Sequence, residues 1–262
     1  MSQTDTTKAG KKANKNELRD TIVVIVEALL IALVFRTFLY QPFSIPTASM
    51  QSTLMIGDYF VASKWAWGLG KRSFPFPVPL GDRILAFSQP QAGDVAVFYN
   101  EPTGEDYVKR VIGLPGDKIQ MKDGRLYING TMLKREEITT GTDVDSYSNP
   151  VPVTLYTETL PNGVTHTIQE ISDDQPLDNT AEYVVPPGHY FMMGDNRDRS
   201  ADSRVLRQVG YVPATNLIGK GEFRFFSIKD NIAPWQIWQW PANVRWDRMF
   251  QSVYVPITHT PT

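Results

Sequence analysis

Between Thr21 and Tyr40 the chain reads TIVVIVEALLIALVFRTFLY, twenty residues interrupted by only two charges, Glu27 and Arg36. As a helix rising about 1.5 Å per residue, this run is roughly 30 Å long, the thickness of a bilayer core. A cleaved leader would end in small residues, whereas this run continues into Phe38-Leu39-Tyr40-Gln41-Pro42-Phe43. An uncleaved anchor is therefore predicted, in preference to a signal peptide or a buried core helix. Residues 1–20 are polar, carry Lys8, Lys11, Lys12, Lys15 and Arg19, and read as a solvated, disordered tail. No basic residue lies between Gln41 and Ser63. The positive-inside rule then predicts a single-pass protein of the plasma (inner) membrane, with a cytoplasmic N-terminus and the remaining chain on the outer or periplasmic face. Arg36 is close enough to the end of the span to snorkel. Glu27 is not, and needs protonation or a partner helix.

Beyond the anchor, short apolar runs alternate with turn signals. Asp58–Ser63, Asp94–Tyr99, Asp106–Ile112 and Lys118–Lys122 read as strands, and Asp123-Gly124 before Arg125–Asn129 is a strong hairpin signal. Residues 135–182 are polar and loop-rich, with edge strands expected at Val153–Thr159 and Thr165–Gln169. Strand patterns return at Tyr183–Val185, Tyr190–Met193 and Glu222–Phe226. Nineteen prolines and eighteen glycines suit such a series of short strands. The expected fold class is mainly β: an antiparallel sheet core with a smaller β insertion, after one transmembrane helix. The predicted division is a tail at 1–20, the helix at 21–40, a catalytic β body at 41–117 and 186–230, the insertion at 118–185, and an aromatic C-terminal segment at 231–262. Within the body, Trp65 and Trp67 with Phe74–Pro79, and Trp235, Trp238, Trp240, Trp246 and Phe250 near the end, read as contacts with membrane lipid or as tryptophans packed under a loop.

A net charge of −2 gives no reason to expect a nucleic-acid partner. With no cysteine, thiol nucleophiles and thiolate metal sites are excluded. His166, His189 and His259 have no metal-ligand spacing, so no cofactor or metal is expected. Three segments carry chemistry. Phe43-Ser-Ile-Pro-Thr-Ala-Ser-Met50 places a serine just beyond the span. In Tyr107–Asp117, strand alternation puts Tyr107, Lys109 and Val111 on one face. Lys109 is then either a lysine that snorkels to a rim or one whose desolvated amine serves as a base. Met192–Arg204 is too rich in paired charges for a strand interior. Its Asp195, Asn196, Arg197, Ser200, Asp202 and Arg204 suit a hydrogen-bonded turn that supports a site.

Taken together, these three segments resemble the type I signal peptidases. Ile45-Pro-Thr-Ala-Ser-Met50 looks like the nucleophile box, Tyr107–Asp117 like the lysine box, Gly194–Arg204 like the closing box, and Gly93–Phe98 like an intervening strand. The resemblance implies a membrane-bound serine endopeptidase that removes N-terminal signal peptides from exported preproteins after Ala-x-Ala-like sites. Ser49 would be the nucleophile and Lys109 the general base. The Ser49 N–H and the Thr47 hydroxyl would hold the oxyanion, Ser200 would hydrogen-bond the amine, and Asp202 and Arg204 would pair. Ile45, Met50, Leu54, Val97, Tyr107 and Val108 would line small apolar subsites, with Asp195, Asn196 and Arg197 as structural support. The chain departs from the family's usual proline at Ser52 and its usual serine at Thr47. A self-cleaving repressor-type serine/lysine protease, or a membrane-anchored non-catalytic binding protein, is the competing reading. The sequence leaves the oligomeric state open.

Overall fold

The computed structural model describes residues 6–70, 72, 83–144, 149–229, 232 and 235–255, with the backbone alone described at 6–16, 35–38 and 83–86. Helix α1, Thr6–Phe38, leads into strand β1, Tyr40–Ser44, and a 3-10 turn at Ala48–Met50 precedes β2, Asp58–Ser63. A short ribbon of β3, Gly68–Gly70, and β4, Arg83–Ala86, is followed by β5, Val95–Asn100, and β6, Glu105–Gly113. Next come β7, Lys118–Lys122, β8, Arg125–Ile128, and β9, Thr131–Met132, and then β10, Lys134–Val144, β11, Pro150–Thr159, and β12, Thr165–Glu170. The chain returns through β13, Tyr183–Val184, β14, His189–Met193, β15, Val212–Pro213, β16, Leu217–Ser227, and β17, Gln251–Ser252.

The main sheet has the order β1-β2-β16-β5-β6-β14-β15, with β17 added to β16. Its pairings are antiparallel, Ala96 facing Lys109 and Val97 facing Val108 in the β5–β6 ladder. Separate sheets form from β10-β11-β12 and from β13-β7-β8-β9. In the β7–β8 turn, Asp123 (φ 47°) and Gly124 (φ 67°) both adopt left-handed backbone, as a two-residue hairpin connection requires. The expected insertion does not have a core of its own. Ile119, Met121, Leu126 and Ile128 pack in one cluster with Ile112, Phe191 and Met193 of the main sheet. Lys134–Val144 forms an eleven-residue strand where the sequence suggested loop.

Residues 6–20 are helical rather than disordered. Once the apolar run nucleates a helix, each added residue gains a hydrogen bond without a new nucleation penalty. Ile22, Val24, Leu29 and Ile31 are exposed on different sides of α1. Among the described residues, no helix is long and apolar enough to cross a membrane. The described side chains of α1, 17–34, include Glu17, Arg19, Asp20 and Glu27, and the apolar run continues into 35–38. Of the two readings of the tryptophans, Trp67 takes the packed one: it is 3% exposed and packs with Ala96, Phe98, Tyr190 and Met192. Trp65 is half exposed, and Phe74–Pro79 lie outside the described residues. Near the C-terminus Trp235, Trp238, Trp246 and Phe250 are exposed, whereas the Trp240 ring packs tilted, at 49°, against Phe226 with centroids 4.9 Å apart. Arg248 is turned inward and pairs with the fully buried Asp58.

Candidate active site

The 3-10 turn Ala48–Met50 places Ser49 at the mouth of a cleft whose walls include Phe43–Thr47 on one side and Glu105–Lys109 on the other. Lys109 arrives from the middle of β6, and its Nζ lies 2.6 Å from Ser49 Oγ. That residue is 4% exposed. Burial disfavours the ammonium form, and although the Asp202 and Asp195 carboxylates pull the other way, the amine is pushed down to about 8. The Tyr107 ring stands 5.4 Å from Nζ. A neutral amine beside a hydroxyl is a general base positioned to take the hydroxyl proton. Thr47, an exposed residue, places its Oγ1 3.4 Å from Ser49 Oγ.

The Ala48–Met50 turn is held from behind by Asn196, whose N–H donates to the Ser49 carbonyl (3.1 Å) and whose Nδ2 donates to the Ala48 carbonyl (3.1 Å). Gly194 permits this approach. A Cβ there would stand 2.4 Å from the Ser49 carbonyl oxygen and 2.2 Å from Ser200 Oγ, closer than any packed side chain tolerates. Ser52, the departure from the family's usual proline, has φ 96° and donates from Oγ to the Thr167 carbonyl at 2.9 Å. A proline ring fixes φ near −65° and could not adopt this backbone.

Beneath the turn lie paired buried charges. Arg110 donates to both oxygens of Asp195, at 2.8 and 2.6 Å. Burial alone would raise the Asp195 carboxyl, but the Arg110 guanidinium outweighs it and holds the carboxyl below its ordinary value. Arg204 forks onto Asp202, two contacts at 2.9 Å. For Asp202 too, the guanidinium outweighs desolvation. Arg197 grips Glu158 of β11 with both terminal nitrogens, and the buried His166 ring lies 3.4 Å from the same carboxylate. The supposed insertion therefore braces the site directly: Gln169 N–H donates to the Asp195 carbonyl at 2.8 Å.

Two sequence expectations need correction. Leu54 and Val97 do not line the cleft. Both are fully buried with Phe60 and Val95, so they back its wall, whereas Ile45, Met50, Tyr107 and Val108 face it. Ser200 Oγ is buried but makes no hydrogen bond, to Lys109 or to any other group among the described residues; it packs instead against Gly194. Sequence reasoning missed Arg110, Asp143, Glu158 and Gln169. An arginine between Val108 and Ile112 on one strand face was a usable signal for a buried partner; the other three had none.

The profile of the family described as signal peptidase, peptidase S26, matches residues 18–226. Curated relatives include the signal peptidase I of Rickettsia typhi, 36% identical over 95% of this chain and 97% of that protein, and that of Rickettsia akari, 36% identical over 96% and 98%. A solved signal peptidase I from Enterococcus faecalis is 29% identical, covering 52% of this chain and 98% of that one, with a TM-score of 0.30. Matched across most of its length by the profile, and almost end to end by the relatives, the chain belongs to the signal peptidase family, peptidase S26, and is a serine protease of the signal peptidase I type.

Proposed function

We propose that Ser49 and Lys109 form a serine/lysine dyad that removes N-terminal signal peptides from exported preproteins after small-x-small sites of the Ala-x-Ala kind. The observation that carries this reading is the 2.6 Å approach of Nζ to Oγ at an amine pushed down to about 8. Neutral Lys109 accepts the Ser49 hydroxyl proton as Oγ attacks the scissile carbonyl. The Ser49 N–H and the Thr47 hydroxyl stabilise the oxyanion. The lysine then passes its proton to the departing amine, and water releases the signal peptide from the acyl-enzyme.

Substrate would enter as an extended strand. Among the described residues, β1 is paired with β2 on one side only, and the first half of β6 with β5 on one side only. Both unpaired edges lead to the cleft, an arrangement suited to strand addition. Ile45, Met50, Tyr107 and Val108 offer apolar walls for small side chains. Thr21–Tyr40 anchors the chain in the plasma membrane, N-terminus cytoplasmic, which accounts for apolar side chains exposed around α1. Residues 41–117 and 186–230 form the catalytic body, braced by 118–185, and Trp235, Trp238 and Trp246 rest on lipid headgroups.

The test is processing of a preprotein by the full chain in detergent. Ser49→Ala and Lys109→Ala abolish cleavage while circular dichroism stays unchanged, and chelators or thiol reagents leave the wild type active. Because the base must be neutral, kcat/KM falls as pH drops through about 8. Robust cleavage by a folded Lys109→Ala protein would overturn the dyad.

A further inference from the structure

We infer that Arg199 is a specificity-determining residue that reads charge in the first residues of the mature protein, favouring an acidic side chain there. The inference rests on the peptidase reading above. The cleft has chemically distinct ends. Glu105 and Asp106 line it where β6 begins, ahead of the apolar walls at Tyr107 and Val108. Arg199 and Ala201 line it beyond the nucleophile, where the 3-10 turn Arg197–Arg199 follows Asn196, the residue bonded to Ala48 and Ser49. The small apolar residues of a signal peptide suit the walls before Ser49. The polypeptide that leaves with the new amino terminus therefore runs out past Arg199.

The guanidinium is aimed rather than free. Its Nη1 donates to the Val144 carbonyl and to Asp143 Oδ2 at 3.2 Å, at the end of β10. Asp143 is itself fixed by Gln51 Nε2 at 3.3 Å, two residues past the nucleophile, and by Gln169 Nε2 at 2.8 Å. One carboxylate thus joins the nucleophile loop, β12 and the 3-10 turn, and holds one nitrogen of Arg199. Among the described residues neither Nη2 nor Nε makes a hydrogen bond, which leaves both for substrate at the cleft rim. Because Asp143 offsets part of the charge, and the residue is partly solvated, the discrimination is modest. An ion pair of this exposure corresponds to about a two- to fivefold preference.

The experiment compares three peptides that share one cleavage site and differ only at the second residue after the scissile bond, as Glu, Gln or Lys. Ratios of kcat/KM are taken within each protein, so a general change in activity cancels. The full-length wild type prefers Glu to Gln by about two- to fivefold and disfavours Lys, and the preference shrinks as salt rises. Arg199→Gln brings the Glu/Gln ratio to about one, while Arg199→Lys keeps part of it, since the charge but not the fork survives. A wild type indifferent to the three peptides, or an Arg199→Gln protein with an unchanged ratio, would refute the inference. A wild type that cleaves none of them would sink the peptidase reading instead, and this inference with it.

Discussion

Burying a lysine amine has a thermodynamic consequence that can be measured without substrate. Lys109 falls from an ordinary value of 10.5 to about 8, desolvation being the main cause. Each pKa unit corresponds to about 1.4 kcal/mol, so below pH 8 the native state is about 3 kcal/mol less stable than it would be with a neutral amine there. The sign follows from proton counting. Between about pH 8 and 10.5 the unfolded chain binds this proton and the native protein does not, so stability rises with pH across that window. Below it both states are protonated and the full penalty applies; above it neither is, and the penalty vanishes. Lys109→Met keeps the length of the side chain and removes the titration. Urea unfolding of wild type and Lys109→Met in micelles, at pH 7 and pH 10, isolates this group, because other ionisations and the lost contact with Ser49 largely cancel in the difference. The methionine protein gains about 3 kcal/mol relative to wild type at pH 7 from this source, and less than about 1 kcal/mol at pH 10. A difference that does not change between the two pH values would refute the desolvation argument, and with it the reason for a neutral base near physiological pH.

Asp195→Asn leaves the buried Arg110 guanidinium without its counter-charge and lowers stability by about 3–5 kcal/mol; a loss under about 1 kcal/mol in denaturant unfolding contradicts that role. Ser52→Pro restores the family's usual residue yet destabilises by more than about 1 kcal/mol, because the φ of 96° excludes it, whereas Ser52→Gly is better tolerated in the same thermal melt. Gly194→Ala pushes on the Ser49 carbonyl and Ser200 and slows kcat by about a hundredfold with the fold retained; unaltered kinetics would mean the turn yields freely. In a chain lacking residues 1–40, replacing Trp235 and Trp238 with serine weakens liposome co-sedimentation, while Trp67→Ser, a core change, shifts the melting temperature instead.

What could be read from the sequence was local. Asp58–Ser63 and Lys118–Lys122 have the strand limits expected of them because their local patterning and flanking turn residues lie within a few positions of each other. Alternation alone left Lys109 between a rim lysine and a base, and Ser49 one loop serine among many; only the resemblance of three contiguous segments to a known family singled them out, and the structure brings the two side chains together. What escaped depends on partners far along the chain. β10 gave no alternation, since its faces are exposed and half-buried by turns, and only pairing with β11 fixes it as a strand. Trp67 and Trp235 look alike in sequence, and only the β5 and β14 residues beside the first place it in the core. Leu54 and Val97 have the composition of a subsite wall, yet they sit one layer too deep. The Arg110–Asp195 pair joins residues 85 positions apart, beyond the reach of any periodicity.

On the serine/lysine reading, the order in which the site's pieces leave the ribosome would keep the enzyme latent while it is being made. Ser49 and Lys109 emerge early, but the turn that supports the nucleophile, Gly194–Arg204, follows only after the whole of β7 to β12. Until Asn196 has bonded to Ala48 and Ser49 and the buried ion pairs have closed beneath them, water reaches the Lys109 amine and keeps it protonated. A protonated amine accepts nothing from a hydroxyl. A chain truncated before His189 should therefore show a Lys109 titration near that of a free lysine, observable by NMR of labelled side chains; an amine already near 8 in that fragment would refute the idea. On that reading the lowered amine comes only with the last strands, and an unfinished chain would cut little or nothing.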